Sequence, residues 1–211
     1  MTQTQSSLLT LVIAASAIAL LFAVPAALGI ARHQFRGREA LSALFLSPLM
    51  IPHVVLGIAF LRFFTQIGVS GTFPALLVAH VVVVFPFALR LTLAAATGMD
   101  RSIEMAAVSL GADNWTLFRR VTLPLILPGV VSGWALAFIQ SFDEVTMTVF
   151  LAAPGIETLP VRMFLYIQDN IDPLVTSVSA SVIAITMLAL IVLDRLFGLD
   201  RVLAGHSDRG R

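Results

Sequence analysis

Residues 7–31 read SLLTLVIAASAIALLFAVPAALGIA, and the next seven, 32–38, read RHQFRGR. As a helix rising ~1.5 Å per residue, the first stretch is long enough to cross a hydrocarbon core that takes about 20 residues. The order of apolar run and charge also matters. A cleaved secretory signal places basic residues before a short apolar segment. Here Met1 to Ser7 carries no charged side chain, and Arg32, Arg36 and Arg38 come afterwards. The expected reading is a retained span whose C-terminal end lies in the cytoplasm.

Four further stretches lack Asp, Glu, Lys and Arg: 40–61, 63–89, 121–142 and 173–193. Five runs of this kind do not suit a buried helix of a soluble protein, and they predict spans near 7–31, 41–64, 73–96, 125–151 and 174–195. The composition agrees: of 211 residues 58% are hydrophobic and 12% charged, with mean hydropathy +0.97. Soluble domains carry about a quarter of their residues charged. All 13 basic residues are arginine, so the lysine that a P-loop extends to nucleotide phosphates is missing, and the chain has no cysteine for disulfides or thiolate ligands. Neither a metal-ligand spacing nor a nucleophile constellation is present. The chain is therefore expected to be no enzyme, to bind no cofactor of its own, and to have membrane lipid rather than nucleic acid around it.

Taking alternate sides from the first span, one face receives Arg32, Arg36, Arg38, Arg90, Arg101, Arg119, Arg120, Arg195, Arg201, Arg209 and Arg211, and the other only Arg62 and Arg162. This bias predicts an external N-terminus and a cytoplasmic C-terminus. Pro25, Pro48, Pro52, Pro86 and Pro128 fall inside predicted spans, and each removes a backbone donor and is expected to bend its helix. The segment Pro48-Leu49-Met50-Ile51-Pro52-His53-Val54-Val55 echoes Pro124-Leu125-Ile126-Leu127-Pro128-Gly129-Val130-Val131, with Gly57 aligned to Gly133. A shared membrane-entry motif is preferred here to an old duplication.

Residues 98–124 form the longest polar interruption. Ile103, Ala106, Ala107 and Leu110 recur at i, i+3, i+4 and i+7, giving a short helix one apolar face. Gly111 permits a sharp turn, Asp113 or Asn114 can cap a second helix through Trp115, Phe118 and Arg119, and Pro124 is expected to end it. Such a knob presents apolar surface to water, as a docking site does; an amphipathic helix lying on the lipid surface is the alternative.

The residues of this loop resemble the signature of ABC-importer permeases: Glu-Ala-Ala, three residues, Gly, nine residues, Ile, any residue, Leu-Pro. Ala106, Ala107, Gly111, Leu123 and Pro124 match in register, Val121 replaces the isoleucine, Met105 stands where the family has glutamate, and Glu104 lies one place earlier. The resemblance covers about 8–200. It implies an all-α polytopic transmembrane bundle forming one permease domain over 1–211, with 98–124 as the cytoplasmic coupling loop. It also implies two copies of a separate ATPase that carries the ATP and Mg, a second permease chain (copy or homologue), an extracytoplasmic binding protein, and a place in a bacterial inner membrane. The first span resembles the family's second, so an upstream apolar segment is expected.

Asp143 and Glu144 interrupt the fourth predicted span, where carboxylates are costly unless a cavity, partner or water meets them. On a continuous helix Gln140, Asp143, Glu144 and Met147 would share one face, forming an acidic patch for a cationic substrate; pairing with Arg62 or Arg162, or a place in the interfacial zone, is the competing reading. The run Ser141-Phe142-Asp143-Glu144-Val145, with Pro154-Gly155, Thr158-Leu159-Pro160 and Asn170 to Pro173, resembles the spermidine/putrescine branch of these permeases, which implies a polyamine or related small organic solute. Pro160 to Ile167 is expected to form a short outer helix, either a contact for the binding protein or a plug between spans. His53 and His80 are read as packed, hydrogen-bonded residues in preference to a proton relay. An ion-driven secondary transporter or small channel is the rival function, but it has no use for the docking knob.

Overall fold

The computed structural model describes residues 3–153 and 155–169, and beyond them only 176, 177, 180, 181, 184, 187 and 188. These group into two compact units, 1–163 and 164–211. In the second, Ser181 Oγ donates to the carbonyl of Ser177 at 2.7 Å, a helical i−4 bond. The predicted span 174–195 lies outside the described residues apart from the scattered positions above.

In the first unit the chain runs through α1 (Gln3–Arg32), α2 (Arg38–Leu46), a 3₁₀ turn (Ser47–Met50), α3 (His53–Gln66), α4 (Phe73–Gly98), α5 (Arg101–Ser109), α6 (Asn114–Leu117), a π turn (Phe118–Thr122), α7 (Leu123–Asp143) and α8 (Thr148–Leu151), and α9 (Leu159–Asp169) leads into the second. Leu9–Arg32, Phe73–Gly98 and Asn114–Asp143 are each long and apolar enough to cross a membrane. A fourth crossing exists if Arg38–Met50 and His53–Gln66 count as one span, although they meet at 101°. The expected single helix over 41–64 is thus broken. Ile51 takes an extended conformation (φ −91°, ψ 128°), as a residue before proline is pushed to do, and Pro52 restarts the chain as the N-cap of α3. Pro25, Pro86 and Pro128, by contrast, sit inside continuous helices. The predicted span 125–151 also differs, since α7 stops at Asp143 and Glu144 is extended (φ −74°, ψ 98°).

The core is built where α1, α4 and α7 meet. Ala15, Ala19, Ala23 and Ala27, spaced four apart on α1, are completely buried, and the last three cluster with Val84, Ala88 and Leu89 of α4 and Ala137 of α7. On α7 a Cβ built on Gly133 would lie 3.0 Å from the carbonyl oxygen of Ala88, and one on Gly129 would lie 2.3 Å from Ala95 Cβ and 2.9 Å from the carbonyl of Leu91. In lipid, helices gain little from hiding apolar surface from one another, so close backbone approach through small residues supplies the attraction as dispersion. Large apolar side chains accordingly point outward: Leu21, Phe22, Val131 and Ile139 are all exposed. Packed against the same cluster, Phe45 of α2 meets Phe85 of α4 edge-on, with ring centroids 5.3 Å apart.

Gly133→Val should force α4 and α7 apart, costing about 1–3 kcal/mol. A Tm in detergent equal to that of the wild type would contradict this packing.

Candidate functional site

Two clusters of polar residues occupy opposite sides of this core. The first surrounds the knob formed by α5, α6 and the turn between them. Asp100 caps α5 by accepting from the Ser102 amide at 2.9 Å, and Asp113 caps α6 by accepting from the amides of Trp115 (3.1 Å) and Thr116 (3.4 Å). The Asp100 carboxyl is held below the usual carboxylate range by the Ser102 backbone and side-chain bonds, and that of Asp113 chiefly by those from Thr116. Between the helices Gly111 takes φ 89°, a conformation that favours glycine, and its amide reaches the carbonyl of Val108 at 2.9 Å. Pro124 does not end the second helix. The π turn Phe118–Thr122 leads directly into α7, and Pro124 lies in the first turn of α7, where its missing amide is tolerated.

The knob leaves Ile103, Met105, Ala106, Val108 and Leu110 exposed, with Leu110 at 89%. Ala107, Val121 and Leu123 are half-buried, and Gly111 and Pro124 are exposed. Glu104 turns the other way. Its carboxylate is ion-paired with Arg32 at the end of α1 and accepts from the Thr122 hydroxyl, while Arg32 also donates to Thr122 Oγ1 at 2.9 Å. Arg101 adds a 2.6 Å bond to the carbonyl of Ala31. Met105, ~100° around the helix, holds the outward position that Glu104 leaves. Glu104 and Arg32 are 72 positions apart. No local pattern announces that pair; the only sequence hint is that a basic run closes α1.

The second cluster lies inside the bundle. Since α7 ends at Asp143, the expected face of Gln140, Asp143, Glu144 and Met147 does not form: Asp143 is exposed, Gln140 half-buried, and Glu144 and Met147 buried. The two carboxylates are therefore not a shared patch. Glu144 pairs with neither Arg62 nor Arg162. One of its oxygens accepts from the Met147 amide at 2.7 Å, and the other is ion-paired with His53 Nδ1. Its side chain is 4% exposed against 31% for His53. Behind it, the Thr148 hydroxyl donates to the Glu144 carbonyl at 2.8 Å, and fully buried His80 bridges Thr148 Oγ1 (3.0 Å) and Ser141 Oγ (2.9 Å). A hydroxyl has one proton to give. With the Thr148 proton committed to Glu144, Thr148 can only accept from His80 Nε2–H, so a neutral His80 accepts at Nδ1 from Ser141. His80 is the packed, hydrogen-bonded histidine expected, and the part played by His53 was not foreseen.

These helices and the knob match a family model described as the binding-protein-dependent transport system inner membrane component, over residues 19–199. The chain belongs to this family. Within it, the chain is 35% identical over 170 residues to the spermidine/putrescine transport system permease protein PotC of Haemophilus influenzae, covering 81% of this chain and 66% of that one. Identity to the PotC protein of Escherichia coli is 28% over 200 residues, covering 95% and 75%. A protein of Salmonella paratyphi A, provisionally described as a 2-aminoethylphosphonate transport system permease, is 36% identical over 191 residues, covering 89% and 72%. Among solved structures the fold is similar to the inward-facing MetNI methionine ABC transporter (TM-score 0.69, 20% identity, 93% of this chain and 94% of that) and to a bacterial ABC transporter that imports alginate (TM-score 0.65, 15% identity, 92% and 72%). Membership of the permease family and the helices long enough to span make this a multi-pass inner-membrane protein.

Two outcomes are expected at the knob. Glu104→Ala should strand the Arg32 cation and loosen α5 from α1, lowering stability by about 1–3 kcal/mol, whereas Met105→Ala should leave the melting curve unchanged. Because the Asp100 and Asp113 carboxyls are depressed in the folded chain, both caps are fully present above the ordinary carboxylate range and are lost as pH falls through the lowered values. Protection of the Trp115 and Thr116 amides, taken relative to their intrinsic exchange rates, should fall over that acid range, and Asp113→Ala should remove the pH dependence of that protection.

Proposed function

We propose that this chain is the membrane-spanning subunit of an ATP-driven importer for small organic amines, polyamines such as spermidine and putrescine foremost. In this reading the N-terminus is external and the knob and C-terminus are cytoplasmic. Two copies of a separate ATPase carry ATP and Mg, each gripping a knob, and a second permease chain and an extracytoplasmic binding protein complete the complex. The observation that carries the reading is the exposed apolar knob in a chain of this family. An apolar surface on the water-facing side of a membrane protein is costly unless a partner covers it. Ile103, Met105, Val108 and Leu110 would enter the ATPase cleft through shape and apolar burial, since no carboxylate occupies the outward position. Ala106 and Ala107 keep that helix thin enough for close approach, Gly111 turns it, and Val121, Leu123 and Pro124 join it to α7. The Arg32–Glu104–Thr122 cluster would pass a displacement of the knob to the ends of α1 and α7.

The substrate class rests on relatives named for the transport of spermidine, putrescine or 2-aminoethylphosphonate. These compounds share an amino group, protonated near neutral pH. A pathway for them needs acceptors for N–H donors, and Gln140, Asp143 and Glu144 supply these at the end of α7.

Leu110→Asp should reduce the ATPase recovered with the purified chain about tenfold, ~1.4 kcal/mol of binding. Undiminished recovery would set aside the docking role. With the whole complex assembled, Asp143→Asn combined with Glu144→Gln should lower initial putrescine uptake by about tenfold; wild-type uptake would eliminate the acidic pathway.

A further inference from the structure

The arrangement at Glu144 points beyond a fixed acidic pathway. Its carboxylate is almost completely enclosed, and its two oxygens have different partners. The Met147 amide binds one from within the same turn, and His53 binds the other from α3. An unpaired carboxylate at this depth is costly, so some cation has to face the second oxygen. Among the described residues His53 alone is ion-paired to it, and His53 is the more exposed partner, sitting at the first position of α3 immediately after the bend. A cation arriving along the half-exposed side meets His53 first. Replacing His53 leaves the Met147 amide bond and the Thr148–His80–Ser141 brace behind the carboxylate untouched. One carboxylate oxygen is therefore held by the Met147 amide, and the Glu144 backbone by Thr148, whichever cation faces the other oxygen.

We propose that Glu144 is an exchangeable counter-ion: His53 occupies it when the pathway is empty, and an ammonium group of the passing amine takes the place of His53. The assignment rests on the amine reading above and names the residue with which the substrate competes. Protonation of His53 sets the strength of that competition. Imidazolium holds the carboxylate as an ion pair, and neutral imidazole holds it through one hydrogen bond at most. Few other titratable groups lie on the elements around the pair. They are His80 on α4, doubly hydrogen-bonded and buried; Arg90, exposed further along α4; Asp143 at the exposed end of α7; and Arg62 further along α3. The sequence of α8 contains none.

The test is initial uptake of radiolabelled putrescine by cells or vesicles holding the complete complex, from about pH 5 to 8, for wild type, His53→Gln, His53→Arg and Glu144→Gln, with ATPase co-purification confirming assembly. The uptake ratio of His53→Gln to wild type should approach one at the alkaline end and rise towards acid. Where pairing leaves about a tenth of the wild-type carboxylate free, the ratio reaches about tenfold. His53→Arg, a permanent cation, should be slow at every pH. A ratio that does not vary with pH, or normal uptake by His53→Arg, overturns the exchange. Glu144→Gln separates the two readings. If it transports normally, the acidic pathway and the exchange both fail; if it is impaired while the His53→Gln ratio stays flat, only the exchange fails. Should the His53 variants not assemble, wild-type complex labelled at histidine answers the same question by NMR. Bound putrescine should shift the His53 ring resonances as it takes the carboxylate from the imidazole, and ring resonances that putrescine does not move overturn the proposal.

Discussion

Where α1, α4 and α7 meet, the contact faces carry almost no side chain, and the remaining architecture depends on that. Ala19, Ala23 and Ala27 on one side and Gly129, Gly133 and Ala137 on another let backbones approach to within a methyl group of α4. Helices packed this closely leave little room to slide, because their contacts are backbone atoms that cannot change rotamer. The core thus acts as a frame. The knob hangs from its Arg32 end, and the buried polar site sits where α7 stops. Gly57 repeats the device in α3, where an added Cβ would lie 2.7 Å from Phe150 and 3.1 Å from the carbonyl of Met147, so α3 is drawn against the turn that carries Glu144.

Both polar sites solve one problem in two ways. Glu104 and Glu144 are carboxylates turned inward, and each takes a cation from a distant element, Arg32 in one case and His53 in the other. A guanidinium stays charged over any physiological pH, so Arg32–Glu104 is a permanent tie between knob and span. An imidazole is a full cation only when protonated, so the proposed exchange at Glu144 uses a partner of a less permanent kind. The difference suits the positions. Under the proposed function, a link that transmits displacement should not slacken, and a carboxylate beside a pathway is of use only if its partner can leave it.

Much of the frame was legible in the sequence. The charge-free runs locate α1 and α4 to within a few residues because a lipid-crossing helix has to be apolar over its whole length. One cap was legible as well. Asp113, read with Asn114 as the alternative, caps the start of α6 because its short carboxylate reaches amides two and three residues on, a purely local geometry; the Asp100 cap of α5 was not read. Pairing across the chain was not. The i, i+3, i+4, i+7 spacing that united Gln140, Asp143, Glu144 and Met147 assumed a continuous helix. Instead α7 stops at Asp143, and beyond it the Glu144 side chain binds the Met147 amide locally and meets His53 across the chain. The exposed surface of the knob was half legible: the spacing named Ile103, Ala106 and Leu110 but not Met105 or Val108, and the inward turn of Glu104 depended on an arginine 72 positions earlier.

The paired proline segments show how such tertiary events decide between local options. Pro48 to Val55 and Pro124 to Val131 are near copies, yet the first contains a break and the second a continuous helix. Pro124 follows a π turn, and Pro128 lies one turn further on in a span whose neighbours hold it helical. Pro52 follows a 3₁₀ turn and an extended Ile51, so α3 restarts there with His53 as its first residue. Had the first copy stayed helical like the second, the chain would not have restarted at Pro52, and His53 would not head a new helix beside the end of α7. The break in one repeat and the early stop of α7 are therefore two halves of one construction. Each interrupts a span at the point where its side chain, His53 or Glu144, meets the other.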